Sequence, residues 1–189
     1  MRSGCGCWQG ETGSSGRIDM PWVSRPPSPE TQIEVDNFNT FRGGFLSSFA
    51  QIEFTIGRLL ARFNGTPPFD GALDTVKFRF ESRVDAFEKF FSTRVELVDY
   101  KDEAEFLCSK LRTTYDLRNF LAHGIARFDV DTGIFTIRRI LPAADNPWQE
   151  VHIEIRSEAV HSYLSDMSLF CQRFMYFARE INDKYQLQF

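Results

Sequence analysis

Near the middle of the chain, Tyr115-Asp116-Leu117-Arg118-Asn119-Phe120-Leu121-Ala122-His123-Gly124 gathers a guanidinium, an amide and an imidazole within one short segment. These are the groups that handle phosphate esters. An imidazole, with an ordinary pKa of about 6.5, gives and takes protons near neutral pH because both its forms are populated. A planar guanidinium grips two phosphate oxygens at once and stabilises charge that builds on them, a task for which Arg is better shaped than Lys. At about 100° per helical residue, Asn119 and His123 share one helix face, whereas Arg118 sits about 140° from His123 and must bend its long side chain round to join them.

The flanking residues predict what carries this segment. Phe41, Phe45, Phe49, Ile52, Ile56, Leu59, Leu60 and Phe63 recur at steps of three or four, the signature of one buried face of a long helix that Asn64-Gly65-Thr66-Pro67-Pro68 ends. A second face runs through Leu73, Val76, Phe80, Val84, Phe87, Phe90 and Phe91. A third runs through Phe106, Leu107, Leu111, Leu117 and Leu121 to His123, with Gly124 suited to a left-handed cap. The period then drops to two in Ile125 to Val130 and Ile134 to Ile140, either side of Asp131-Thr132-Gly133, which predicts a β-hairpin. Val151, Ile153 and Ile155 predict a third strand after a loop from Pro142 to Pro147. Ser157 is the expected N-cap of a last helix whose face runs Val160, Tyr163, Leu164, Met167, Phe170, Cys171, Phe174, Phe177, Ile181 and Tyr185. The fold class is therefore mainly α: an up-and-down bundle of four long helices, with a small antiparallel sheet inserted at about 125–156 before the last helix.

Composition sets the bounds. The chain has 189 residues, 42% of them hydrophobic and 25% charged, which suits one globular domain over residues 30–189, and its twenty phenylalanines imply an aromatic core. Residues 1–29, rich in Gly, Ser and Pro, are expected to form a flexible arm, within which Met20 is a second candidate start. A net charge of −4 argues against indiscriminate binding of nucleic acid, DNA included, while leaving room for a local basic site. No apolar run is long enough for a membrane span and Met1 to Gly16 contain no secretory signal, so the expected location is the cytoplasm.

Other residues carry weaker chemistry. Cys5 and Cys7 lack two further ligands, His152 and His161 have no Cys or acid at metal-ligand spacing, and Gly43-Gly44, near an expected helix start, lacks the rest of a phosphate loop. Neither a metal nor another cofactor is expected. Cys108 and Cys171 fall in apolar helical patterns, so no disulfide framework is implied. Glu53, among the apolar residues of the first helix, either contacts the motif from a neighbouring helix or, as the preferred reading, is a solvated flanking position. Arg112, Arg127, Arg138 and Arg139 are either scattered solvated charges or an extended RNA-binding surface.

The segment Arg118-Asn119-Phe120-Leu121-Ala122-His123 resembles the Arg-x4-6-His motif of HEPN domains, and the order of elements around it is similar over most of residues 38–185. The resemblance implies a homodimer in which two copies of the motif, from two protomers, form one composite site that cleaves RNA without a metal. It assigns His123 the proton transfers to and from the ribose 2′-OH and the leaving 5′-oxygen, Arg118 the scissile phosphate, and Asn119 the orienting of His123 or the phosphate. The implied products are a 2′,3′-cyclic phosphate, or its hydrolysed form, and a 5′-hydroxyl. It further implies toxin or phage-defence roles, with an antitoxin or inhibitory protein as a partner. Non-catalytic relatives offer an alternative, a dimeric module that binds RNA, a nucleotide or a protein. The plainer reading of the same residues has His123 facing the negative end of the helix dipole, Arg118 paired with Asp116 or another surface acid, and Asn119 as a surface amide.

Overall fold

The structure, a computed structural model, describes residues 27–69, 79–142 and 148–187. Four helices, α1 (Pro29–Phe63), α2 (Phe80–Thr93), α3 (Lys101–His123) and α4 (Val160–Tyr185), surround one core, with strands β1 (Ile125–Asp129), β2 (Ile134–Leu141) and β3 (Gln149–Arg156) between α3 and α4. A 3-10 turn, Val95–Tyr100, leads into α3, and another, Ser157–Ala159, leads into α4. Among the described residues no helix is long and apolar enough to cross a membrane.

The helix α1 starts well before its apolar stripe. Ser28 caps it, its Oγ accepting from the Thr31 N–H at 3.2 Å, and Pro29 occupies the first turn, where its missing N–H costs nothing. Hydrogen bonds from its own backbone N–H and from Ser28 hold the Glu30 carboxyl below the ordinary carboxylate range. Residues 28 and 29, expected in the arm, thus belong to the helical domain. Gly43 and Gly44 lie inside α1, not at its start. A Cβ on Gly44 would stand 2.7 Å from Leu164 Cδ1, so this glycine lets α4 pack close.

Every residue of the first expected face is buried, together with Phe38. Each such side chain, removed from water, contributes roughly 1.5–3 kcal/mol before ordering costs are set against it. Phe80, Val84, Phe87, Phe90 and Phe91 of α2 are buried as the pattern requires, whereas Leu73 and Val76 lie outside the described residues. On α3 the buried face is Ala104, Leu107, Cys108, Leu111 and Leu121. Phe106 is 45% exposed, one position off that face, and Arg173 covers its ring at 4.1 Å while holding Glu103.

The expected up-and-down order is not the one observed. Phe49–Phe80, Glu53–Arg83 and Phe63–Phe90 contacts climb α1 and α2 together, so these two helices run the same way. Contacts of Phe41 with Tyr163, Thr55 with Met175 and Arg62 with Asn182 show that α4 also runs with α1. Only α3 runs against the rest, as the Phe80–Tyr115 and Val84–Cys108 contacts show. Residues 64–79 connect α1 to α2, and a link of that length, at about 3.3 Å per residue, can return along the whole of a 14-residue helix.

The sheet is antiparallel with β2 in the centre, and its hairpin pairs Phe128 with Phe135 and Asp129 with Ile134. Asp129 shapes the turn: its Oδ1 accepts from the N–H groups of Asp131 and Thr132, and Gly133 adopts φ +66°, where a side chain would be strained. Phe135 stacks on Phe38 at 4.3 Å and fixes the inner face of the sheet to the start of α1. Ser157 does not cap α4; it begins the 3-10 turn, and its N–H bonds to Gly133 O at 2.9 Å. The loop residues 143–147 and the cysteines Cys5 and Cys7 lie outside the described residues.

Candidate functional site

Arg118 and His123 both lie in the last two turns of α3, at the point where the chain passes directly into the sheet. Gly124 makes that junction. Its φ of −86° and ψ of 156° are extended, so it is not the left-handed cap that its position suggested. The reason for a glycine is space: a Cβ there would stand 2.5 Å from Ile137 Cγ2, 2.5 Å from Phe120 O and 3.2 Å from Arg138 O. Its N–H closes the helix on Phe120 O at 2.8 Å.

Arg118 is held on several sides. Its Nη1 donates to Asn119 Oδ1 at 3.1 Å, and its Nη2 lies 3.9 Å from Glu53 Oε2 on α1. The guanidinium also stands 5.8 Å from the centre of the Phe49 ring. Phe49 in turn packs on Phe80, which stacks on Tyr115 at 4.4 Å, so the arginine rests beside an aromatic shelf built by three helices. Of the acids the plainer reading allowed, Asp116 is not the partner; Arg118 meets Glu53 of α1 instead.

Glu53 is therefore not a solvated flank. It is 20% exposed and binds Arg83 of α2 at 2.8 Å, with Arg118 as its second, looser cation. Arg83, which sequence reasoning did not single out, completes an Arg–Glu–Arg row; its only advance signal was a charge bordering the apolar stripe of α2. Because Glu53 is satisfied first by Arg83, the Arg118 charge is incompletely matched and its solvent side can take an anion.

His123 is exposed, with no hydrogen bond or ion pair to the described residues and no direct contact with Arg118. Of the bend expected of Arg118, the hydrogen bond to Asn119 is the part observed, Asn119 standing one turn before His123 on the same face. Guanidinium, amide and imidazole thus occupy adjoining sectors at the end of α3. The arrangement is an anchored guanidinium on the same helix end as an accessible imidazole rather than a closed pocket.

The remaining arginines do not gather around this segment. Arg112 is committed to Asp85 at 2.8 Å and Glu88 at 2.7 Å, hydrogen bonds that raise its pKa above the ordinary guanidinium value. Arg138 pairs with Glu150 across the outer face of the sheet at 3.4 Å, and Arg127 is exposed on β1. Only Arg139 reaches toward the motif, covering the Phe120 ring at 5.1 Å. Among the described residues no three His, Cys, Asp or Glu side chains converge as metal ligands would. No family model, no curated protein and no solved structure matches the chain.

Proposed function

We propose that the chain is a HEPN-like, metal-independent endoribonuclease of the cytoplasm that works as a homodimer. Two Arg118–Asn119…His123 segments, one from each protomer, form the composite cleft for single-stranded RNA. His123 moves the protons, taking one from the ribose 2′-OH and giving one to the departing 5′-oxygen. Arg118 clamps the scissile phosphate, Asn119 orients the clamp, and Glu53 with Arg83 fixes where the clamp stands. A role as toxin or defence effector, with an inhibitory protein as partner, goes with this reading.

One observation supports it above the others: Arg118 is drawn toward the His123 face by Asn119 and anchored from α1, while His123 itself stays open to solvent. The test is incubation of purified protein with total RNA in EDTA, followed by analysis of the new ends. Cleavage that leaves 5′-hydroxyl ends, is lost in His123→Ala and Arg118→Lys, and spares a substrate with 2′-deoxyribose at the cut site is the expected result.

A second reading is a non-catalytic HEPN-like dimeric module that binds RNA, a nucleotide or a protein. It is favoured by the Glu53–Arg118 contact, since an arginine already facing a carboxylate also serves as a structural tie. RNA bound by wild type and never cleaved, at any dimer concentration, selects this reading.

A further inference from the structure

The sheet ends on β3, whose only strand partner among the described residues is β2. Alternate N–H and C=O groups of an edge strand point away from its neighbour, and no other described backbone segment bonds those of β3. Chains commonly blunt such an edge with a proline, a lysine, a bulge or a charge turned inward. None of these is present in β3. Its eight residues, Gln149-Glu150-Val151-His152-Ile153-Glu154-Ile155-Arg156, pair with β2 without interruption, and Val151, Ile153 and Ile155 take the less exposed inner side. The other edge, β1, is shorter, at five residues.

The outward side chains, Glu150, His152, Glu154 and Arg156, are complementary to themselves. When two copies of β3 lie antiparallel about a two-fold axis through Ile153, Glu150 faces Arg156 of the second copy and His152 faces its Glu154, and symmetry makes each pair occur twice. On the inner side Val151 faces Ile155 and Ile153 faces itself. The neighbouring registers fail. With the axis at His152, Glu150 meets Glu154 twice; with the axis at Glu154, that carboxylate meets its own copy and His152 meets Arg156. A shift by one residue sets the charged face of one copy against the apolar face of the other. The charges are open to such use: His152 and Glu154 make no hydrogen bond or ion pair with the described residues, Arg156 reaches Glu158 only at 4.0 Å, and Glu150 meets Arg138 at 3.4 Å with both side chains more than half exposed.

We propose that the free edge of β3 docks a second copy of this chain, β3 against β3 in the register centred on Ile153, so that three strands from each copy form one continuous antiparallel sheet with the helices of both on the same side. This edge is not the composite cleft. Arg118 and His123 sit beside β1, and in the joined sheet five inter-strand steps of about 4.8 Å, about 24 Å in all, separate one β1 from the other. The pairing is therefore a second two-fold contact, independent of the nuclease reading, and where both contacts form it joins cleft dimers into larger assemblies.

The test is sedimentation of the full chain and two charge reversals at matched concentration. Arg156→Glu sets carboxylate against carboxylate twice in the proposed register, and Glu150→Arg sets guanidinium against guanidinium twice. Each should weaken association through this edge by about tenfold or more and so lower the mass, with the circular-dichroism spectrum unchanged because both positions are exposed. Mixing the two variants restores both opposite-charge pairs, so the mixture should regain the wild-type mass. His123→Ala should assemble as wild type does, which separates failure here from failure of the nuclease reading. A wild type that stays monomeric, single variants with the wild-type mass, or a mixture no heavier than its components would overturn the proposal.

Discussion

The carboxylate of Glu53 on α1 stands 3.9 Å from the Arg118 guanidinium on α3, although 65 positions separate them in sequence. Glu53 is tied more tightly to Arg83, at 2.8 Å, and so acts as a fixed post against which Arg118 is set. Glu53→Gln keeps the shape and removes the charge. In an RNA-cleavage assay it is expected to lower kcat by about tenfold or more with little change in KM, since clamp geometry matters most in the transition state. Loss of cleavage together with loss of the folded circular-dichroism spectrum would instead make Glu53 a structural residue only.

His123 is exposed and makes no hydrogen bond or ion pair to the described residues, so His123→Ala should shift stability by no more than about 0.5 kcal/mol while removing RNA cleavage. Thermal melts and a cleavage gel on the same preparation check both halves. Retention of cleavage removes the imidazole from the mechanism.

At the helix–sheet junction, Gly124→Ala places a methyl carbon 2.5 Å from Ile137 Cγ2 and from a backbone carbonyl. The expected destabilisation is about 1–3 kcal/mol, the usual cost of overpacking. The contrasting change is Gly43→Ala, where a Cβ meets nothing within 4 Å and helix propensity should stabilise by roughly 0.5–1 kcal/mol. Chemical denaturation of both variants measures the two signs.

Cys108 is fully buried, and burial, with the nearby Glu88 charge adding to it, pushes its thiol up to about 12. Native protein should therefore shield it from thiol reagents at neutral pH, and unfolding should expose it. The linked pH effect has a definite sign. The unfolded thiol ionises near 9 and the folded one near 12, so the stability it contributes is intact below 9 and is lost as pH rises toward 12. Cys108→Ala should flatten that part of the stability profile relative to wild type.

Much of this molecule was legible because periodicity reports burial directly. The α1 stripe from Phe41 to Phe63, the hairpin around Asp131-Thr132-Gly133 and the third strand through Val151, Ile153 and Ile155 all stand where their spacing put them. Helix direction was not legible, because a stripe is the same read from either end and only the long 64–79 link hinted that α2 runs with α1. Phe106 misled because an exposed ring under a cation has the same residue type as a core ring. At the site, the neighbours Arg118 and Asn119 were visible as a pair and Glu53 only as the less favoured of two readings, while Arg83 was not, since nothing local in a sequence says which distant acid a buried-edge arginine will meet. Gly124 was noticed for the wrong reason: its left-handed option goes unused, and its missing methyl group is what the packing requires.

That missing methyl has a mechanical sequel. The rod bearing the imidazole and the pleated layer beyond it share a single joint with no spare links, clamped between Ile137 and the Phe120 carbonyl. A displacement of the outer strands is therefore passed through that joint to the last turn of the rod, as a lever passes on force.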